Sequence, residues 1–283
     1  MPDAQIMIRP LAPAEVGTAL DWAAAEGWNP GLDDAVPFRA ADPDGFLGLF
    51  EGGKLAATIS VITYGARFAF LGFYIVRPDR RGQGLGFRLW QAGLDHGGSR
   101  TIGLDGVVAQ QDNYRRSGFA YAHRNVRFGG RITGPDGELD PRIHIITPEL
   151  INRISIYDRK LFPADRSVFL SDWLAPRHGR ALAFIERGQL LGYGVIRACR
   201  QGHKIGPLFA DRPDVADSLY RQLVHGMTGE TVYLDAPEPN LDAAALAERH
   251  GLQPAFETAR MYRGPAPELP LQRMFGITSF ELG

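Results

Sequence analysis

Arg77-Pro78-Asp79-Arg80-Arg81-Gly82-Gln83-Gly84-Leu85-Gly86 joins the apolar run Phe68 to Val76 to a segment carrying Phe87, Trp90 and Leu94 on one helical face. A run so nearly free of polar residues reads as a central strand covered on both sides. Glycines placed between such a strand and a helix let the backbone approach a ligand closely, and the helix start presents unpaired N–H groups with a partial positive charge. Arg80 and Arg81 add formal charge, so the stretch is suited to a pyrophosphate or a similar dianion. A Walker loop needs Gly-Lys-Ser/Thr at its end, and none is present. A dinucleotide fingerprint puts Gly or Ala where Phe87 stands and turns directly after its strand; here about five residues intervene, Pro78 among them.

Upstream, Val16, Leu20 and Ala23 are spaced as on a helix over residues 14–26, and residues 46–50 and 55–62 read as a hairpin. Downstream, Thr101 to Ala109 reads as a further strand, and residues 111–117 as a short helix capped by Gly118. The whole chain has 283 residues, long for one compact domain, with 45% hydrophobic and 22% charged residues, which suits packed cores. Lys plus Arg total 31 against 32 for Asp plus Glu, a balance that gives no support to a nucleic-acid or membrane partner. The single cysteine, Cys199, excludes an intrachain disulfide and argues against a thiolate metal cluster, so no metal is expected. The N-terminus lacks a basic and apolar leader, and Phe68 to Val76 falls well short of the ~20 apolar residues of a membrane-spanning helix. A soluble, cytoplasmic protein is expected.

The most turn-rich break runs from Gly129 to Gly137, and the segments on either side of it match. Leu49-Phe50-Glu51-Gly52-Gly53-Lys54-Leu55 aligns without a gap with Phe184-Ile185-Glu186-Arg187-Gly188-Gln189-Leu190, each reading as a hairpin with a two-residue turn. Ile6 to Leu11 corresponds to Ile143 to Pro148, Leu104-Asp105 to Leu234-Asp235, and Arg127-Phe128-Gly129 to Met261-Tyr262-Arg263-Gly264. The preserved order argues for a divergent duplication. It predicts one domain over residues 1–130, a linker over 131–140 and a second domain over 141–283.

The spacing Arg81-x-x-Gly84-x-Gly86 after a strand ending in Val76 resembles the signature of the GNAT (GCN5-related) N-acetyltransferase superfamily. Tyr114-Arg115-Arg116-Ser117-Gly118-Phe119 is similar to that family's Tyr-x-x-x-Gly-Phe segment, and the resemblance covers roughly residues 5–129. It implies an α+β (mixed α/β) fold of two tandem GNAT-like domains, each a central mixed, mostly antiparallel sheet flanked by helices. It further implies acetyl-CoA as acyl donor, its pyrophosphate held by Arg81, Gly82, Gln83, Gly84, Leu85 and Gly86. The pantetheine would pair with Tyr74, Ile75 and Val76, near where this strand parts from Thr101 to Ala109. In the second half the corresponding stretch is Ile205-Gly206-Pro207-Leu208-Phe209-Ala210-Asp211-Arg212-Pro213-Asp214. Proline removes backbone donors and the aspartates would repel a phosphate, so this copy is expected to lack CoA binding. That segment and the ending Phe275 to Gly283 resemble bacterial tandem-GNAT proteins with a degenerate second domain.

Acyl transfer to an amine calls for a neutral amine and a protonated leaving thiolate. Tyr114, four residues before Gly118, stands where the family places its general acid; the alternative is a ring that only packs on the pantetheine. Asn113 either binds cofactor or caps the short helix. The central strand has no carboxylate, which leaves Asp105 on the next strand as candidate base, although its counterpart Asp235 in the loop-less half points to a structural role. Trp28, Asp33 and Asp34 follow the first helix, where the family builds its acceptor pocket: Trp28 as an aromatic wall and the aspartates attracting a cationic amine, or else as core and turn residues. The expected activity is transfer of acetyl from acetyl-CoA to the amine of a small molecule by direct attack in a ternary complex. The alternative is a non-catalytic CoA- or acyl-CoA-binding sensor. A transferase using aminoacyl-tRNA would need a basic surface, which the charge balance does not support. An edge strand in either half could pair two chains into a homodimer, and no feature of the composition decides it.

Overall fold

The computed structural model describes residues 5–133 and 137–283. The first half runs β1 (Ile6–Pro10), α1 (Pro13–Ala25), α2 (Ala35–Ala41), β2 (Phe46–Glu51), β3 (Lys54–Tyr64), β4 (Phe68–Val76), α3 (Leu85–Gly97), β5 (Thr101–Val107), α4 (Gln111–Arg116) and β6 (Ala120–Arg131). The second half repeats that order as β7 (Ile143–Ile145), α5 (Pro148–Asp158), α6 (Ser167–Trp173), β8 (Gly179–Glu186), β9 (Gln189–Ala198), β10 (His203–Ala210), α7 (Pro213–Leu223), β11 (Thr231–Pro237), α8 (Leu241–Arg249) and β12 (Gln253–Arg263). It adds a short β13 (Met274–Gly276). The duplication extends to turn geometry. Gly52 and Gly53 in one hairpin, and Arg187 and Gly188 in the other, all have positive φ, as a two-residue turn matching strand twist requires.

The halves do not form separate sheets. Their strands join edge to edge in the order β1-β2-β3-β4-β5-β12-β6-β11-β10-β9-β8-β7, with β13 on β10. Each copy gives its last strand to the other: β12 completes the first half on β5, and β6 completes the second half on β11. Two buried ion pairs mark the exchange. Asp105 on β5 faces Arg260 on β12, and Asp235 on β11 faces Arg127 on β6. The structural counterpart of Arg127 is therefore Arg260, one residue from the Arg127–Met261 match drawn in the sequence. Gly129, Gly130 and Arg131, expected in or beside a linker, belong to β6. Gly129 serves close packing, since a Cβ there would lie 2.7 Å from the Tyr233 ring. Gly134, Pro135 and Asp136 of the expected linker lie outside the described residues.

Helices α1, α2, α5 and α6 pack into one core shared by both copies, with Phe38 stacked on Trp173 at 5.7 Å between ring centroids. Burial of that much aromatic surface ties the copies together more firmly than any linker. On the opposite face, α3 covers the first half and α7 with α8 the second. Phe87, Trp90 and Leu94 all line a cavity, as residues on one helical face, but Phe87 is 65% exposed while the other two are buried. Among the described residues no helix is long and apolar enough to cross a membrane.

Candidate active site

The central strands part company midway. β4 pairs in parallel with β5 only from Phe68 to Leu71 opposite Thr101 to Leu104; beyond that the two strands separate, while β5 keeps β12 and β4 keeps β3 on their outer edges. The break coincides with a bulge: Phe73 and Tyr74 stand opposite the single residue Ile59, and Phe73 has φ 47°. Such a left-handed conformation is costly for a bulky residue and needs support from its surroundings. Thr58 supplies some, its hydroxyl donating to the Phe73 carbonyl at 3.0 Å, and the Phe73 ring is fully buried. A cavity of about 940 Å³ fills the gap, within the range of sites for small molecules and cofactors.

One end of the cavity is the glycine loop. Gly82 and Gly84 have φ of 76° and 77°, conformations that favour glycine, and Gly84 caps α3. The earliest α3 hydrogen bond that leaves the loop is Arg88 N–H to Gly84 carbonyl, so the N–H groups before it face outward without intrahelical partners. Gly86 is needed for another reason: a Cβ there would lie 2.6 Å from the Tyr74 hydroxyl and 2.8 Å from Val76. Arg81 reaches back to the Val76 carbonyl and pairs with Glu26 at the rim. Exposed donors, a helix start and a mobile-length cation at one cavity mouth fit a pyrophosphate. Tyr74, Ile75 and Val76 all line the cavity.

Tyr114 lies under the other wall. Its ring packs where Gly106 has no side chain and stacks on Trp90 at 5.8 Å, and Tyr74 meets the same tryptophan edge-on at 5.1 Å. Burial pushes the Tyr114 phenol up to about 12, with neighbouring Tyr74 adding to the rise. It is thus protonated at neutral pH, a donor with no hydrogen-bond partner among the described residues. Asn113 lines the cavity and bonds to Gln110 at 2.5 Å.

Asp105 also borders the cavity, but both of its oxygens are engaged. Arg260 grips it with two hydrogen bonds of 2.7 Å, and the Asn125 amide donates to it at 2.7 Å. Burial pushes its carboxyl up, and the Arg260 guanidinium and the Asn125 amide oppose that rise. Trp28 lines the cavity, and its carbonyl accepts from Lys204 and Arg127. Asp33 and Asp34, expected on the acceptor side, lie away from the cavity wall and lock the copies together instead. Asp33 takes the His178 N–H at 2.8 Å, and Asp34 takes Arg197 Nε at 2.8 Å and the Gly31 N–H at 2.8 Å. Both sit between α1 and α2, where the second copy supplies His178 and Arg197 as partners.

Sequence reading missed part of the cavity lining. It comes from Phe256 and Thr258 on β12 and from Phe280 and Glu281 in the C-terminal segment, at least 170 residues past the loop. Arg127, from β6, lies 4.7 Å over the Phe280 ring. The exchanged strand β12 and the C-terminal tail together bring these residues to the first half. No group of His, Cys, Asp and Glu among the described residues is arranged to hold a metal ion.

Two family models match the chain: one described as the acetyltransferase (GNAT) family over residues 14–120, and one described as an acetyltransferase (GNAT) domain over residues 154–276. Holothin acyltransferase from Pseudoalteromonas sp. (strain SANK 73390) is 31% identical over 268 residues, covering 93% of this chain and 90% of that protein. Among solved structures, a Pyrococcus horikoshii protein described as an acetyltransferase superposes with a TM-score of 0.82 at 22% identity, covering 98% of this chain and 96% of the other. A tandem GNAT protein from the clavulanic acid biosynthesis pathway gives 0.63 at 16% identity, covering 93% of this chain and all of the other. With the glycine loop, the parted strands and the repeated fold in place, the chain belongs to the GNAT acetyltransferase family, in its tandem form, and is an acyltransferase.

Proposed function

We propose that the protein transfers an acetyl group from acetyl-CoA to the primary amine of a small molecule, by direct attack in a ternary complex. One observation carries this reading: a single cavity runs from Arg81 at the glycine loop, past Tyr74 to Val76 and Tyr114, to an aromatic acceptor end at Trp28, Phe256 and Phe280. Both reactants can lie in it at once, so no acyl-enzyme is needed. The Pseudoalteromonas relative, whose name makes holothin its acceptor, supports a small-molecule substrate. The working unit draws on both copies, with one CoA site in residues 1–130 and none in 141–283.

The loop from Arg81 to Gly86 holds the pyrophosphate through its N–H groups, and the free edge of Tyr74, Ile75 and Val76 receives the pantetheine. Asn113 lies beside the cofactor. The thioester supplies an electrophilic carbonyl carbon and a thiolate leaving group. Tyr114 gives that sulfur its proton, and its raised pKa keeps the proton in place until negative charge develops nearby. Asp105, held by Arg260 and Asn125, fixes β12 to β5 rather than taking a proton. Trp28 acts as a wall for the acceptor.

Acetyl-CoA binding by calorimetry, followed by thiol release with a panel of alkyl and arylalkyl amines, tests the reading. The expected result is one acetyl-CoA per chain and turnover of at least one amine, with Tyr114→Phe lowering kcat by about 100-fold. Absence of acetyl-CoA binding by the folded protein would sink it.

A further inference from the structure

The geometry points to Glu281, in the C-terminal segment of the second copy, as the catalytic base of the first copy's site, an inference that rests on the acyl-transfer reading above. Three carboxylates line the cavity among the described residues, and no histidine does. Glu26 is paired with Arg81 at the rim, and Asp105 is gripped by Arg260 and Asn125. Glu281 is 4% exposed, yet among the described residues its carboxylate takes no hydrogen bond and no ion pair. A buried carboxylate left without protein partners is costly unless something else is meant to meet it.

The position of Glu281 is fixed by its backbone. Its carbonyl oxygen lies against Gly72, the residue at which β4 leaves β5, so closely that a Cβ there would clash. Glu281 thus stands where the strands part, on the wall shared by Tyr74 and Tyr114. Around it lie buried Arg127, Arg197 and Lys204, all within its electrostatic reach. Arg127 is matched by Asp235 and Arg197 by Asp34, whereas among the described residues Lys204 bonds only to the Trp28 carbonyl. Glu281 adds a negative charge near this cluster, forms no ion pair with it among the described residues, and lines the cavity. Neighbouring Phe280, 6.2 Å from Phe256, completes the wall against which an acceptor would rest.

In the reaction the amine lone pair forms the new C–N bond as the C–S bond breaks. Glu281 accepts the N–H proton lost by nitrogen, and the departing sulfur takes the proton of Tyr114. Both groups then exchange with solvent, returning Glu281 to carboxylate and Tyr114 to phenol. The net change is one proton moved from amine to thiol.

Two measurements test this. First, carbodiimide with glycine ethyl ester should label Glu281 in the resting full-length protein and spare Asp105 and Asp235; failure to label Glu281 overturns the proposal whatever the activity. Second, with the amine that the wild type acetylates best, Glu281→Gln should lower kcat by about 100-fold or more, with acetyl-CoA affinity and melting temperature close to wild type. Formate should restore part of the rate to Glu281→Ala, because it returns a small carboxylate to the vacated space. Retention of kcat by Glu281→Gln, or a loss accounted for entirely by weaker acetyl-CoA binding or lower stability, overturns it. A wild type that does not bind acetyl-CoA would instead overturn the underlying acyl-transfer reading, a result distinct from either.

Discussion

The gap between β4 and β5 and the gap between β10 and β11 are the same feature in two copies, and they have different fates. β10 pairs in parallel with β11 only from His203 to Ile205 opposite Val232 to Leu234, then bends away at Gly206-Pro207, just as β4 leaves β5 at Gly72. In the first copy the gap is a cavity. In the second it is filled by the chain itself: β13 pairs with Leu208 and Phe209 of β10, and Ile277 N–H bonds to the Asp235 carbonyl of β11 at 2.8 Å. The approaches differ too. Eight residues, Arg77 to Gly84, lead from β4 into α3, whereas only Asp211 and Arg212 lead from β10 into α7. Asp211 there is held by Tyr157 and Arg273, leaving a carboxylate where the first copy offers N–H groups. One gap leaves its backbone edges open to a cavity, and the other satisfies the same edges with its own tail. The filled gap still serves the open one, for the tail continues past Gly206 to place Glu281 at Gly72.

The largest effect that would sharpen this symmetry concerns the two exchanged ion pairs. Asp235→Asn and Asp105→Asn should each lower unfolding free energy by about 3–5 kcal/mol, since each leaves a buried arginine unpaired. Denaturant titration of both variants checks it. If Asp105→Asn abolished transfer at unchanged stability, the two positions would not be equivalents and Asp105 would be acting chemically. Next comes the loop. Gly84→Glu combines a disfavoured positive φ with a carboxylate in the anion site, and should weaken acetyl-CoA binding by about 100-fold or more. The same calorimetry in the wild type should count one cofactor per chain; two would break the contrast between the gaps.

Gly206→Ala probes the plug. Its Cβ would lie 2.5 Å from the Thr278 carbonyl and 2.6 Å from that of Ile277, so the tail must shift. The expected cost is about 1–3 kcal/mol, read by thermal melting, and kcat should fall as Glu281 is displaced. The smallest effect lies in the first copy alone. Asp42 accepts from Thr63 N–H at 2.9 Å and Thr63 hydroxyl at 2.6 Å, and lies 3.1 Å from His96 near the end of α3. Burial pushes its carboxyl up, but the bonds from His96 and Thr63 more than offset this and bring it down to about 2. A group lowered on folding contributes stability above its unfolded value, lost as pH falls through about 2. Asp42→Asn should therefore cost about 1–2 kcal/mol at neutral pH and nearly nothing in strong acid, a difference that urea titration at both pH values would measure.

Much of the site was legible because it is local. The loop declares itself through Gly82 and Gly84, whose positive φ glycine favours, and through Gly86, whose missing Cβ lets Tyr74 approach. Strand β4 begins and ends where its apolar run does, and the paired hairpins at Gly52-Gly53 and Arg187-Gly188 adopt the turn their sequences call for. Asp33 and Asp34 could not be placed in this way. Following the first helix, they looked free to meet an amine, but their partners His178 and Arg197 lie in the other copy. Gly129 and Gly130 looked like a turn because glycine serves both turns and close strand packing, and the neighbouring Tyr233 that decides between them is remote in sequence.

The sequence by itself determined the two copies, the order of their elements, the glycine loop of the first and its absence from the second. Each follows from periodicity, turn chemistry or backbone donors within a few neighbouring residues. Only the tertiary structure decided that the copies exchange their last strands, that the tail fills one gap, and that Glu281 reaches the other. Asp105 and Arg260 are 155 residues apart, and Arg127 and Asp235 are 108 apart. A strand's pattern says that it will pair and which face it buries, but its partner is selected by burial and charge matching across the whole sheet.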